Sequence, residues 1–66
     1  MTLKKIGQYL RAERQRRGLS VYRIELMTGE NRVTINAIER GERGYNIKAL
    51  LLYAEAMKLT VQISPL

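Results

Sequence analysis

The feature that most constrains this chain is its punctuation. Gly18, Gly29 and Gly41 each stand just past a short segment with apolar residues at helical spacing, and Ser20, Asn31 and Asn46 stand just before the next one. Ser and Asn favour the position before a helix and Gly the position after it, so the pattern predicts four helices joined by short turns. Isolated helices shorter than about 12–15 residues are marginal in water. These segments therefore have to bury their apolar faces against one another.

Thr2 caps the first helix, with Leu3, Ile6 and Leu10 at i, i+3 and i+7 on one face. Its last turn, Arg14, Arg16 and Arg17, carries the cations that a helix C-terminus favours. Gly7, inside this helix, costs about 1 kcal/mol relative to Ala. Either a neighbouring backbone approaches there or the position is a tolerated weak spot. The second helix runs from Ser20 to about Met27, with Gly29 offering a left-handed turn, and the third from Arg32 to about Arg40 with Ile35 and Ile38 inward. The stretch "GERGYN" reads as a loop. Asn46 then caps a fourth helix whose Ile47, Leu50, Leu51, Ala54 and Met57 form a wide apolar stripe.

Beyond Lys58 the period changes. Leu59, Val61 and Ile63 alternate with Thr60, Gln62 and Ser64 before Pro65, a strand pattern in a chain that offers no second strand. Pairing with the same strand of a second copy about a two-fold axis would satisfy its backbone; the alternative is an extended tail lying on the core. Leu52, in the run "LLLY", with Leu59, Val61 and Ile63 make up the candidate dimer contact. Residues 1–58 then form one domain and 59–66 its strand or tail.

Composition narrows the function. With 66 residues there is room for one domain and one small core. Without Cys or His the chain has neither disulfides nor the usual soft metal ligands. No apolar run suits a membrane span and no signal-peptide pattern is present, so a soluble intracellular protein is expected. The formal charge of +6, from 12 Lys and Arg against 6 acidic residues, suits a polyanionic partner, although a well-charged soluble surface explains it equally well. That charge is concentrated early: residues 1–23 hold 7 cations and only Glu13, whereas residues 24–45 hold 3 cations and 4 glutamates. No cofactor is implied. An enzyme is not expected, because no His, Cys or paired-carboxylate pocket is available and Ser20 and Tyr22 read as cap and surface residues.

Two helices joined by a Gly-containing turn, the second opening in polar and small residues, are the arrangement that sets a short helix in a DNA major groove. With Ile35 and Ile38 inward, Arg32, Val33, Asn36 and Ala37 point outward. Arg bonds guanine bidentately, Asn bonds adenine, and Val or Ala meets the thymine methyl.

On these residues the chain resembles the Cro/CI-type (XRE) helix-turn-helix repressors. The similarity runs through "IGQYLR" from Ile6, "GLS" from Gly18, "TG" at Thr28, "TINAIERGE" from Thr34 and "IKALLLYAEAMKL" from Ile47. The most specific piece is "TxxxIERG", Thr34 to Gly41. The resemblance implies an all-α, four- to five-helix, lambda-repressor-like bundle whose third helix reads double-stranded DNA, here with a short C-terminal β-strand added. It implies an ion pair between Arg14 and Glu39, base-facing positions at Arg32, Val33, Asn36 and Ala37, and phosphate contacts at Ser20 and near Arg40 and Arg43. It also implies a cytoplasmic prokaryotic or phage protein, associated with the nucleoid when bound.

Several positions depart from the family. Val21 stands where Gln usually reaches the DNA, leaving Tyr22 or Arg23 to substitute. Glu25 replaces the Ala that lets the two helices approach, and Glu30 an apolar turn residue. A buried unpaired carboxylate is very costly, so Glu25 is expected to reach a nearby Arg or to be splayed toward solvent. Leu26 and Met27 replace polar residues; ordinary packing is expected, with an apolar patch for a partner as the alternative. The short strand is similar to that of antitoxin-type relatives. Two functions follow: a homodimeric repressor on an inverted repeat, or an antitoxin-like or phage-type module whose main partner is a toxin or other protein.

Overall fold

The computed structural model describes residues 2–59, which form α1 (Leu3–Arg16), α2 (Val21–Thr28), α3 (Arg32–Arg40) and α4 (Ile47–Ala56). Among the described residues the fold is all-α, with four helices and no strand. The strand expected over 59–66, and with it Val61 and Ile63, lies outside the described residues except for Leu59.

Every helix starts on the side chain its sequence provides. The Oγ1 of Thr2 accepts a hydrogen bond from the Lys5 N–H at 3.1 Å, Ser20 Oγ from Arg23 at 3.0 Å, Asn31 Oδ1 from Thr34 at 2.8 Å and Asn46 Oδ1 from Lys48 at 2.9 Å. Each satisfies one N–H that the helix leaves without a partner. Gly29 stops α2 at φ 78° and Gly41 stops α3 at φ 73°, a left-handed conformation that a Cβ would oppose.

The core consists of Leu10 from α1, Ile24 from α2, Ile35 and Ile38 from α3, and Ala49, Leu50, Tyr53, Ala54 and Met57 from α4 and its end. Full burial of each large aliphatic side chain contributes roughly 1.5–3 kcal/mol. Around them Leu3, Ile6, Leu19, Val21, Tyr45, Ala56 and Leu59 are packed and half-buried.

Backbone-to-backbone approach sets how α1 meets α3. A Cβ on Gly7 would collide with the carbonyl oxygens of Ile38 and Glu39, and one on Gly41 with the backbone of Lys4. Of the two explanations for Gly7, close approach is the one observed. The C-terminal end of α3 is thereby seated on the first two turns of α1.

One expectation for α4 is corrected. Ile47 and Leu51 belong to the predicted stripe but are 59% and 43% exposed, while Ala49 and Tyr53 are buried in their place. The helix is rotated so that Ala49, Leu50, Tyr53, Ala54 and Met57 face inward, and Ile47, its first residue, lies at the edge with Leu3 and Tyr45 around a shallow depression. Leu59 is the one residue of the expected strand or tail that lies within the described residues. Lys58 turns left-handed at φ 60°, the Leu59 N–H donates to the Ala54 carbonyl at 2.9 Å, and Leu59 packs on its own chain's core. Leu52 is half-buried.

Candidate nucleic-acid interface

Helix α3 is amphipathic in the sense a reading helix requires. Ile35 and Ile38 are fully buried, Arg32 and Val33 are exposed, and Asn36 and Ala37 are half-buried on the flank between. Val33, at 75%, is the most exposed large apolar side chain among those described. The four residues expected to face bases thus share the side of α3 turned from the core, with its first turn more open than its second.

The platform behind this face is held by charge as well as by packing. Arg14 Nε donates to Glu39 Oε2 at 2.7 Å and Arg14 Nη2 to Glu39 Oε1 at 3.1 Å, so the two planar groups meet fork to fork. Arg14 Nη1 also donates to the Leu19 carbonyl at 2.9 Å, tying in the turn before α2. The Tyr53 hydroxyl donates to Glu39 Oε2 at 2.5 Å. Glu39 is 8% exposed, and among the described residues no buried side-chain polar atom lacks a partner. The hydrogen bond to Glu39 raises the affinity of the Arg14 guanidinium for its proton; burial, followed by the bond to Glu39 and its charge, pushes the Tyr53 hydroxyl far above the usual tyrosine range. Arg14 therefore stays cationic and Tyr53 neutral across the physiological range.

Spacing alone does not identify Tyr53 as a network member. One signal was available: Tyr53 lies three residues after Leu50 and four before Met57, inside an apolar stripe, where a phenol needs a polar partner. Arg17 carried no such signal. Its Nη2 donates to the Met57 carbonyl at 2.7 Å, closing the end of α4.

The expected phosphate-contacting residues lie at the start of α2 and at or just after the end of α3. Ser20 is exposed, with its hydroxyl engaged as the α2 cap; Tyr22 is 58% exposed, and Arg23 is exposed. Arg40 Nε donates to Glu42 Oε2 at 2.6 Å, an exposed pair that lowers the Glu42 pKa through this hydrogen bond. Arg23 and Arg43 form no ion pair among the described residues. Val21 is half-buried against the core.

Helix α2 corrects one expectation and completes another. Leu26 and Met27 are 60% and 46% exposed instead of packed, because an eight-residue helix has one inward stripe and Val21, Ile24 and Thr28 occupy it. Glu25, on the margin of that stripe, is neither buried unpaired nor splayed away. Its Oε1 lies 3.4 Å from Arg32 Nε, across the turn on the first residue of α3. Glu30 is half-buried, and its N–H donates to Thr28 Oγ1 at 3.1 Å. Among the described residues no cluster of acidic side chains could hold a metal ion, and no helix is long and apolar enough to cross a membrane.

A family model described as helix-turn-helix matches residues 10–63. Searches of curated proteins and of solved structures give no match.

Proposed function

Because the chain belongs to the helix-turn-helix family of the Cro/CI (XRE) type, and is thereby a DNA-binding regulator, we propose that it is a sequence-specific repressor acting as a homodimer on an inverted repeat. Half-sites would lie about one helical turn apart, ~34 Å. The observation that carries this reading is α3 itself: Arg32, Val33 and Asn36 stand on the outer side of a helix whose inner side and C-terminal end are locked by Ile35, Ile38 and the Glu39 network. Ser20, Tyr22 and Arg23 before it, Arg40 at its end and Arg43 after it supply the phosphate contacts that place such a helix. The mechanism is occupancy of a site, with no chemical step.

Selection of bound sites from a random duplex library tests the reading. A two-fold symmetric site with about one-turn spacing is expected. The double variant Arg32→Ala with Asn36→Ala should then bind the selected duplex no better than random duplex, with its thermal melting intact because neither side chain is in the core.

A second reading has one observation in its favour. Tyr22 and Leu26, one turn apart, and Met27 beside them leave an exposed apolar surface on α2, and Val21 packs inward where relatives reach DNA. An antitoxin-like or phage-type module would use that surface for a protein partner, and its binding would be indifferent to the Arg32 and Asn36 substitutions.

A further inference from the structure

The carboxylate of Glu25 bears directly on the reading helix although it belongs to the supporting one. Glu25 sits one turn after Val21 and one turn before Thr28, both half-buried, so its side chain leaves α2 on the side that faces α3. Its Oε1 meets Arg32 at Nε, 3.4 Å away, and the two side chains are 25% and 65% exposed. The contact therefore falls on the side edge of the guanidinium. Nε is the atom of closest approach, and the terminal Nη1 and Nη2 form no hydrogen bond with the protein among the described residues.

That division of the guanidinium matters chemically. An arginine donates through five N–H groups in a rigid fork, and the pair at its tip matches O6 and N7 of guanine. An exposed arginine whose position is unconstrained loses rotamer freedom when it docks and can reach a phosphate as readily as a base. The Glu25 carboxylate attracts the guanidinium at Nε, in an ion-pair contact longer than the hydrogen bonds of Arg14, Arg16 and Arg40. The Nη edge is thereby biased outward before any DNA arrives, and the ordering cost of the correct contact falls. The same carboxylate carries a negative charge beside the groove-facing surface, which disfavours every duplex equally while only the correct base returns the bidentate bond.

We propose that Glu25 is a specificity-determining positioning residue: through its ion-pair contact with Arg32 at Nε it biases the guanidinium tip toward a guanine in each half-site, without itself touching DNA. The proposal rests on α3 being the reading helix.

The test uses the duplex selected by the wild-type protein and a set of duplexes with each half-site guanine replaced in turn. Titrations compare wild type, Glu25→Gln, Glu25→Ala, Arg32→Ala and the Arg32→Ala, Glu25→Gln double variant. Replacing one particular guanine should weaken wild-type binding ~10-fold or more, the range of a good bidentate contact. Glu25→Gln should cut that factor to ~3-fold or less at this base alone, leave the other positions unchanged, and bind random duplex as well as or better than wild type. In the Arg32→Ala background Glu25→Gln should change nothing at that base. Glu25→Ala, which removes the side chain but favours helix, should reproduce Glu25→Gln and melt no lower than wild type. Full discrimination retained in Glu25→Gln, or discrimination lost evenly at all positions, overturns the proposal. A selected site with no guanine sensitive to Arg32→Ala overturns it while leaving DNA reading intact; failure of the wild type to select any sequence overturns both.

Discussion

Gly7 shows how a single position inverts a local rule. Helix propensity favours Ala over Gly by about 1 kcal/mol in a helix interior, and by that rule Gly7→Ala stabilises. In the folded chain the added Cβ would press on the carbonyl oxygens of Ile38 and Glu39. Those are backbone atoms at the end of α3 and do not move aside as a flexible side chain does. Gly7→Ala should therefore destabilise by about 1–3 kcal/mol, the usual cost of overpacking, seen as a lower urea midpoint with an unchanged slope. A variant more stable than wild type would show that α1 and α3 do not approach as closely as this. Sequence leaves two readings of Gly7 open because neighbours along the chain carry no record of what lies across it.

At the scale of elements, the decisive join is between α1 and α3. Arg14 and Glu39 are recognisable from family spacing, but the reach of their network is not: Leu19 and Tyr53 enter it from the turn before α2 and from α4. Arg14→Ala leaves the Glu39 carboxylate buried with only the Tyr53 hydroxyl, and removing one partner of a buried pair costs about 3–5 kcal/mol. At roughly 4–8 °C per kcal/mol for a domain of this size, the melting temperature should fall by more than about 10 °C. Arg14→Lys keeps the charge but loses the fork, and should fall between. Arg16→Ala removes the exposed pair with Glu13, Nε to Oε2 at 2.7 Å, and should leave the midpoint essentially unmoved. Equal effects of Arg14→Ala and Arg16→Ala in thermal denaturation would count against a clamp joining the two helices.

Across the whole molecule the balance of charge changes meaning once the fold is known. Composition places 7 cations in residues 1–23, and this basic run reads as an electrostatic field for DNA. The structure commits three of them to the protein: Arg14 to Glu39, Arg16 to Glu13 and Arg17 to the end of α4. Cations left free for phosphate are thus fewer than composition suggests, and under the proposed function Arg23 and Arg43, which form no ion pair among the described residues, are foremost. A dimer with about six phosphate contacts should lose roughly 10³-fold in affinity between 50 and 200 mM salt. Arg43→Ala should flatten the slope of log K against log salt by about one per half-site and weaken all duplexes alike. A gel-shift series insensitive to ionic strength would remove electrostatic phosphate contact from the account.

The sequence by itself determined where the four helices start and, within a residue or two, where the first three stop, because caps, left-handed glycines and apolar period act over three or four residues. Thr2, Ser20, Asn31 and Asn46 make the cap bonds their identities predict. It also determined the inward pair Ile35 and Ile38, since a short helix with one apolar stripe has a single way to bury it. Only the tertiary structure decided which side of α4 faces in, leaving Ile47 and Leu51 outside, and that Leu26 and Met27 stay exposed. It alone joined Glu25 to Arg32 and Tyr53 to Glu39. Those outcomes depend on the angle and depth at which helices dock, and that geometry is set by close contacts such as Gly7 against α3, between residues far apart along the chain.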